Sequence, residues 1–530
     1  MAWSLPLWLN VLLSLSAVFL GLFYYYLTYN FDYWKKKGVK HEKGWPLFGS
    51  LFSAMTLREH RVHCLDKIYK KYSGESFVGY YQGRDPALLI LDPELIKRIL
   101  VKDFSYFTSH GIEFNEKSNP MLAKNLFSLE GQRWRDMRSK IAPAFTTGKM
   151  KIMVPYMAEV GQNWLKFLSK NISDEAVDLK ELAVTYTADA IGTCVFGVNY
   201  NAFENPNNTF MTMGRRLVGY DFKRGIKAIC VIFFPEVVKF FDFEWFERSM
   251  VDFFCNLLKE MMDSRKKTGQ TRKDFLQLMV ELKEKGSVTS DNAEDEKESK
   301  KLSGFEDSQP TQGKFDFSDV DIYAQAFAFF VAGFENSSTQ ISLACLELAV
   351  ESELQHRAHA EIDQVLKEHD GKLTAESLKK MVYLESIVQE TLRKYPPAGG
   401  LVRSCTKNYL IPGTNVRIEK GTIVMIPTYS LQNDPKYFPD PERFDPERFC
   451  DEDAHHKLQY LYTPFGDGPR HCIGMRFSQL LIKTGLASIL SKFEILPCKE
   501  TVYPPKIDPI RMPLSSVGGV QVKMQERKVD

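Results

Sequence analysis

Several features that would assign this chain to a common class are missing from it. It has no phosphate-binding glycine loop, no dinucleotide-binding glycine turn and no internal repeat, so neither a nucleotide site nor a repeat fold is recognisable. Its 69 basic and 67 acidic residues leave a net charge of +2 without a broad basic tract, which gives no sign of nucleic-acid binding. The nine cysteines follow no framework spacing, a pattern typical of free thiols in a reducing compartment.

Charged side chains are also absent from residues 1–31. The stretch from Leu5 to Tyr29 is long enough to cross a bilayer as a helix, and Lys35–Lys37 follow it at once. A cleaved signal peptide would have a positive start and a small-residue cleavage site, and neither is seen. We therefore predict a membrane anchor over residues 1–34 and a basic, proline-containing hinge over 35–50. The positive-inside rule places everything after Lys35 in the cytosol.

The overall composition, 44% apolar and 26% charged, is typical of a globular protein. Two segments depart from it. Residues 217–255 are dense in aromatic side chains, which suit either helices that roof a pocket and dip into a membrane surface or an ordinary core. Residues 284–314 are rich in Lys, Glu, Asp, Ser and Gly and predict a solvated, disordered loop.

The segment Phe465–Gly474 is the most constrained stretch of the chain. Its glycines permit backbone conformations that a Cβ would forbid, and Pro469 stiffens the turn. It presents one cysteine, Cys472, and runs into a helix that begins near Met475. Backbone N–H groups and the positive end of that helix would hold the sulfur as a thiolate. A single cysteine in this setting suggests an axial haem ligand, because thiolate donation favours O–O bond cleavage.

This stretch resembles the haem-binding loop of the cytochrome P-450 superfamily. The matching positions are Phe465, Gly468, Arg470, Cys472 and Gly474. The resemblance implies a mainly α fold with small β-sheets, a catalytic domain over residues 51–530 and haem b as the cofactor. By analogy, Cys472 would be the fifth iron ligand and Arg470 the partner of a haem propionate, with Phe465 and Gly474 completing the haem-binding loop.

Further motifs of the family occur in order along the chain. Trp134 and Arg138 lie four residues apart on one predicted helix face, and the resemblance makes both donors to the haem propionates. Arg403 matches another propionate ligand. His110 stands where many relatives have an arginine, so one propionate contact is expected to be weaker. The neighbouring basic face, which in the family docks an acidic redox partner, contains Arg133, Arg135 and Lys140.

A long buried helix is predicted from Ser318, its cap, onward to Leu348. Within it, Ala332–Ser338 resembles the oxygen-activation motif of the family. Ala332 and Gly333 would leave room for the macrocycle and dioxygen, and Glu335 would relay protons. The sequence departs from the pattern at Asn336, where the family has a threonine that helps to deliver protons. Asn336 with water, or Ser337, would have to take over that task, so loss of reducing equivalents to peroxide is an open alternative.

Glu390 and Arg393 are spaced as an ion pair on one helix face, and with Arg448 they match the structural Glu-Arg-Arg network of the family. Substrate-pocket positions are implied by the same resemblance, and two adjacent glycines there suggest a roomy site above the ring. These positions are Ala328, Ala332, Ala398, Gly399, Gly400 and Leu401.

Shorter patterns predict the remaining elements. Residues 77–91 are expected to form two strands around Gly83–Asp85, followed by a helix capped by Asp92. Val416–Ile418 and Thr422–Ile426 predict a β-hairpin. Residues 475–497 predict the last long helix, with short strands to about Lys523.

The resulting hypothesis is a single-pass enzyme of the endoplasmic-reticulum membrane. Electrons would come from NADPH through NADPH–cytochrome reductase, with assistance by cytochrome b5 left open, and one oxygen atom would enter a lipophilic substrate. The motifs most resemble the microsomal group that metabolises toxins and drugs, insecticides included, although an endogenous hormone or fatty acid stays open. Two alternatives remain: a reductase-independent enzyme that rearranges peroxides, and a non-enzymatic binder of haem and lipophilic ligands.

Overall fold

The computed structural model describes residues 6–528 except 173–174, 220–221, 234–243, 270, 286–292, 305–316, 452–457, 459 and 512. Its first helices are α1 Leu7–Thr28, α2 Tyr33–Lys36, α3 Phe52–Met55, α4 Arg61–Lys71, α5 Pro93–Lys97, α6 Pro120–Ala123, α7 Gly131–Ile141, α8 Thr147–Asn171, α9 Leu179–Ile191, α10 Thr209–Val218 and α11 Phe222–Phe233. The later helices are α12 Arg248–Thr268, α13 Phe275–Lys285, α14 Ala293–Ser303, α15 Asp319–Val350, α16 Ser352–Glu368, α17 Ala375–Lys380, α18 Val382–Lys394, α19 Thr428–Gln432 and α20 Met475–Lys492.

Small sheets pack beside the helices. The strands are β1 Phe77–Gln82, β2 Asp85–Ile90, β3 Val177–Asp178, β4 Leu401–Ser404, β5 Tyr409–Leu410, β6 Arg417–Ile418, β7 Ile423–Ile426, β8 Phe493–Leu496 and β9 Gln521–Glu526. They form sheets in the orders β1-β2-β7-β4, β3-β9-β8 and β5-β6. The mainly α fold with small sheets that the sequence predicts is confirmed.

Helix α15 is the centre of the molecule. Ser318 and Asp321 form a reciprocal capping box at its start, which agrees with the predicted cap. The helix runs for 32 residues and packs along α9, α18 and α20. Because it is buried over most of its length, it fixes the relative positions of the elements that carry the candidate site.

The apolar segment at the N-terminus forms α1, and none of its side chains is buried. By length and composition this helix is able to cross a membrane.

The segment that follows α1 packs against the rest of the protein. Trp34 is fully buried, donates from Nε1 to the Tyr80 carbonyl at 3.2 Å, and fills the space that a side chain on Gly79 would need. Arg84 lies 4.1 Å from the ring centroid of Tyr26. The predicted hinge also packs along β1, because the Glu42 amide donates to the Gly79 carbonyl and the Ser50 amide to that of Tyr81.

The two predicted strands over residues 77–91 and the Asp92 cap agree with the structure, because β1 and β2 pair and Asp92 accepts from the Leu95 amide. The predicted hairpin is wrong. β6 pairs with β5, whereas β7 joins β2 and β4 in another sheet. The turn between them bonds to a third segment, since Gly421 donates to the Cys405 carbonyl and Cys405 to that of Thr422. This bonding separates β6 and β7.

Two further predictions need correction. The last long helix ends at Lys492 and not at 497, because Phe493–Leu496 alternates buried and half-buried residues as β8 and pairs with β9. The disordered loop predicted over 284–314 contains helix α14 at Ala293–Ser303. Acids in the first turn and lysines in the last turn of α14 match the helix dipole. Residues 286–292 and 305–314 of that prediction lie outside the described residues.

The aromatic segment 217–255 is described only in part. Its residues 234–243 lie outside the described residues, as do the side chains of Phe222 and Phe233. Phe246 and Phe254 are buried in the main core, where their rings pack against Phe327 of α15. For these two positions the structure supports the core interpretation.

Candidate active site

The cysteine loop folds as its glycines suggest. Its ends are joined by a 2.8 Å hydrogen bond from the Cys472 amide to the Phe465 carbonyl. Gly466 and Gly468 have φ values of +75° and +69°, which disfavour other residues. A side chain on Gly468 would also run into the Leu100 carbonyl. The loop therefore holds Cys472 in one place, immediately before α20.

The thiol of Cys472 is subject to opposing electrostatic influences. Its side chain is exposed, yet the surrounding protein raises the pKa of the thiol by burial, a combination expected at the floor of a cavity. The Gly474 amide donates to the sulfur and the Arg138 guanidinium lies nearby, and both lower the pKa. These two contacts favour the thiolate form that binds a metal.

Three buried guanidiniums surround this loop. Arg138, Arg403 and Arg470 are each less than a tenth exposed, and no carboxylate in the described part of the chain lies within 4.0 Å of their nitrogens. Burial lowers their pKa values to about 10, about 10 and about 9, respectively. A buried cation without an anion is costly. The cluster is therefore suited to an anionic group such as a haem propionate.

Specific contacts join these residues. The Arg470 guanidinium lies 4.0 Å from the Trp134 ring centroid. An η-nitrogen of Arg138 lies 3.3 Å from both ring nitrogens of His471. Arg470 also donates to the carbonyls of Thr108, Leu126, Phe127 and Leu129. The structure thus brings Trp134, Arg138 and Arg470 together beside the cysteine loop.

Arg403 and His110 differ in their capacity to hold an anion. The Nε of Arg403 is buried and has no hydrogen-bond partner among the described residues, so a donor is left for a group such as a propionate. His110 stacks on Phe127 at 4.2 Å. Burial, with the charges of Arg403 and Arg470, lowers the pKa of His110 well below its usual value. An uncharged His110 agrees with the weaker contact expected there.

The donors that Arg138, Arg403 and Arg470 place around the cysteine loop fit a haem with its propionates.

The oxygen-activation motif lies on α15. Ala332 is exposed towards open space, whereas the missing side chain of Gly333 would lie only 3.0 Å from Ile191 of α9. Gly333 therefore allows two helices to approach, and the room expected for a macrocycle is on the Ala332 side. Asn336 donates from Nδ2 to the Ala332 carbonyl at 2.8 Å, so its carbonyl oxygen stays available as an acceptor.

Ser337 does not share the position of Asn336. It is fully buried, and its hydroxyl lies 3.2 Å from that of Ser478 on α20. Successive residues on a helix point about 100° apart, so Ser337 lies on another face. The alternative that Ser337 replaces the missing threonine hydroxyl is not supported.

Glu335 is held in a buried ion-pair network that the sequence did not reveal. Its Oε1 lies 3.2 Å from Lys180 Nζ and 3.2 Å from an η-nitrogen of Arg511. Lys180 also donates to the hydroxyls of Ser338 and Thr339 at 2.7 Å. These partners are 155 and 176 residues away from Glu335 along the chain, so no local pattern could have found them.

Lys180 makes the stability of the protein depend on pH. Burial lowers its pKa to about 8 from 10.5, against the opposing charge of Glu335. Between these values the unfolded chain keeps a proton that the folded chain has lost, so stability should rise with pH, by at most about 1.4 kcal/mol per pH unit. Thermal midpoints of wild type and Lys180→Met across this window test the prediction. Parallel pH profiles for the two proteins would contradict it.

The predicted Glu-Arg-Arg network assembles as a buried cluster. Glu390 and Arg393 are fully buried and joined by two 2.8 Å hydrogen bonds, and Arg448 Nε lies 3.6 Å from Glu390. Arg393 also donates to the Gln432 carbonyl, while the Gln432 side chain accepts from the Thr463 amide. Since Thr463 lies two residues before the cysteine loop, the network connects to that loop.

The two pocket glycines have a different role from the one expected. Gly399 has a φ of +63°, and a side chain there would collide with Val62 of α4. A side chain on Gly400 would lie 2.9 Å from the Met425 sulfur of β7. Both glycines therefore serve close packing, and the prediction of room above the ring does not follow from them. The other pocket positions are exposed or half-buried: Ala328, Ala332, Ala398 and Leu401.

Comparisons with known proteins cover nearly the whole chain. The family model Cytochrome P450 matches residues 39–517. Cytochrome P450 6a2 of Drosophila melanogaster is 37% identical over 525 residues, 97% of this chain and 99% of that protein. Cytochrome P450 6k1 of Blattella germanica is 35% identical over 511 residues, 96% of each chain. Cytochrome P450 6B1 of Papilio polyxenes is 34% identical over 517 residues, 97% of this chain and 99% of that protein.

The extent of these matches and the arrangement around Cys472 lead to the same assignment. A family match over nearly the full length of the chain accounts for the helical fold. Members of this family bind haem, and the buried arginines of this chain are suited to its propionates. The resemblance inferred from the sequence is confirmed. This chain belongs to the cytochrome P450 family and is a monooxygenase.

Proposed function

We propose that this P450 takes electrons from NADPH–cytochrome reductase and inserts one oxygen atom into lipophilic molecules at the endoplasmic-reticulum membrane. The observation that carries the proposal is the cluster of buried guanidiniums at the Cys472 loop, for which the described residues provide no carboxylate within 4.0 Å. Cys472 would ligate the iron, while Trp134, Arg138, Arg403 and Arg470 would hold the propionates. When bound, haem supplies dioxygen activation, which a thiolate ligand favours.

Proton delivery in this proposal belongs to Glu335 and Asn336. Glu335 of α15 is only 4% exposed, and its carboxylate is held in place between Lys180 and Arg511. Asn336 uses its amide nitrogen on the Ala332 carbonyl, and its oxygen is left to accept from a water. That water would take the place of the threonine hydroxyl of relatives, and Glu335 would relay protons to it.

The membrane assignment rests on α1. It is long and apolar enough to span, and Lys35–Lys37 follow it, which would leave the catalytic body in the cytosol. A substrate that partitions into the membrane suits an enzyme held at its surface. Toxins and drugs, insecticides included, are the proposed substrate class, because the motifs resemble those of the microsomal detoxifying group and the relatives above are insect P450s.

Asn336 alone favours a second candidate function, the rearrangement of organic peroxides without a reductase. In that case the missing threonine hydroxyl would not be needed, because no protons would have to be delivered to dioxygen. The retained acid Glu335, in its buried network, supports the monooxygenase over this alternative.

The deciding experiment follows NADPH, product and hydrogen peroxide together in the protein reconstituted with haem and reductase. In wild type we expect product to match NADPH consumed, since Asn336 and water supply the protons. Asn336→Thr should change the ratio of product to NADPH by less than about threefold, and Glu335→Gln should lower it about tenfold or more, within the usual range for a proton-transfer group. Ser337→Thr, a change on the buried face, is the matched control and should not affect the ratio.

Each other outcome has a definite meaning. NADPH lost mostly to peroxide in wild type and rescued by Asn336→Thr would show that the asparagine uncouples the enzyme. Absence of NADPH consumption, with haem bound and reductase active, would transfer the assignment to peroxide rearrangement if organic peroxides are converted, and to ligand binding if they are not.

A further inference from the structure

Helix α14 lies against the cysteine loop. Its residue Leu302 is 4% exposed, and the Leu302 carbonyl accepts from Arg138 Nε at 3.0 Å. Just beyond the helix, a side chain on Gly304 would lie 2.7 Å from the Cα of Pro469 in the loop. α14 also packs on α7 and on the turn Ala142–Phe145. This short helix thus covers the protein surface beside the cysteine loop at Pro469.

The carboxylates of α14 occupy a positive part of that surface. Glu298 accepts from the amide and the hydroxyl of Thr147 at 2.7 and 2.8 Å, and lies 2.7 Å from an η-nitrogen of Arg476. Thr146, the N-cap residue of α8, makes no side-chain cap. Asp295 packs against Gly148 in the same turn. Acids of α14 therefore satisfy the positive end of a 25-residue helix.

We propose that α14 is an internal acidic cover on the docking surface of the electron donor, and that the donor must displace it. The inference rests on the proposed function, in which a separate reductase supplies the electrons. A donor has to approach the thiolate ligand, and α14 lies against the loop that carries it. The partly exposed Arg476 and the start of α8 attract carboxylates of a partner as they attract those of α14.

The contacts of α14 suit an element that is displaced. Its buried residues are Asp295, Ser299, Leu302 and Ser303, so Leu302 is its single large apolar anchor. The ion pair between Glu298 and Arg476 is partly exposed, 20% and 30% respectively, and such pairs contribute little net stability. Acidic groups of a partner would replace the contacts of Glu298 with equivalent ones, so that part of the exchange is nearly balanced.

The test uses the full-length protein, loaded with haem and reconstituted in vesicles. Glu298→Gln removes the charge that contacts Arg476 and Thr147. We expect the reductase concentration for half-maximal turnover to fall about threefold to tenfold, the range for loss of one helix-capping contact. Turnover at saturating reductase should not change. Glu296→Gln is the matched control, because Glu296 is exposed and pairs with Lys300 within α14 itself; it should behave as wild type.

Two results would overturn the proposal. An unchanged half-maximal concentration for Glu298→Gln would show that α14 does not compete, and a raised one would show that Glu298 belongs to the docking surface. Hydrogen exchange gives a second measure that needs no variant: amides of 293–303 should lose protection when reductase binds, and steady or increased protection contradicts the cover. If wild type turns over with an organic hydroperoxide but at no reductase concentration, the reductase assignment itself fails.

Discussion

Cys472→Ala should lose the reduced-CO absorption band of a thiolate-ligated haem, together with all NADPH-driven product formation. Alanine offers no ligand, and the loop cannot supply another sulfur, because its φ values and the Cys472–Phe465 hydrogen bond fix its path. The measurement is the difference spectrum of the reduced protein with and without carbon monoxide. This is the largest effect we expect from any single substitution.

A matched control separates ligand loss from misfolding. Cys498 is also a free cysteine, half-buried, with its amide bonded to the Thr501 hydroxyl beyond β8. Cys498→Ala should keep the full thiolate-type band and activity. If Cys472→Ala retained the band while Cys498→Ala lost it, the ligand assignment would be wrong.

Breaking the buried pair of Glu390 and Arg393 should have the second-largest effect. Arg393→Met leaves Glu390 charged and fully buried, since Arg448 Nε is 3.6 Å away and makes a poorer contact. Removal of one member of such a pair costs about 3–5 kcal/mol of unfolding free energy. We expect Arg393→Met to yield little haem-loaded protein, measured as haem content per chain and as the thermal midpoint.

A double variant sharpens this test. Glu390→Met combined with Arg393→Met removes both charges, and a buried pair replaced by apolar side chains is often tolerated. The double variant should therefore be more stable than Arg393→Met alone. Arg357→Met breaks a pair with Glu447 that is more than half exposed, and should cost less than about 1 kcal/mol. A double variant less stable than the single one would contradict our account of the network.

Residues that act through short, local patterns were predictable from the sequence. The cysteine loop and the ion pair of Glu390 and Arg393 each lie within about ten residues, and the structure forms both as expected. Trp134 and Arg138, spaced by one helical turn, are both buried on α7. The capping residue Ser318 was predictable for the same reason. In each case the geometry is decided by nearby backbone.

Features that depend on distant partners were not predictable. Lys180 forms an ion pair with Glu335 only because α9 packs along α15, and the sequence near either residue does not indicate the pair. The neighbour that each glycine packs against was equally unpredictable from the sequence. Gly333 lies against Ile191 and Gly399 against Val62, because helices and loops that are distant in sequence pack there. α14 looked disordered because its composition is polar, yet its carboxylates are satisfied by the start of α8.

The burial of Trp34 decides where this chain can be shortened. No side chain of α1 is buried, and Tyr26 contacts the body at Arg84, so deleting that helix removes little packing from the body. Six residues after the end of α1 the situation reverses, because the indole of Trp34 fills the space over Gly79. Loss of a buried tryptophan costs about 3–5 kcal/mol. A water-soluble version of the enzyme should therefore begin between Thr28 and Trp34, with the indole retained as the first piece of its core.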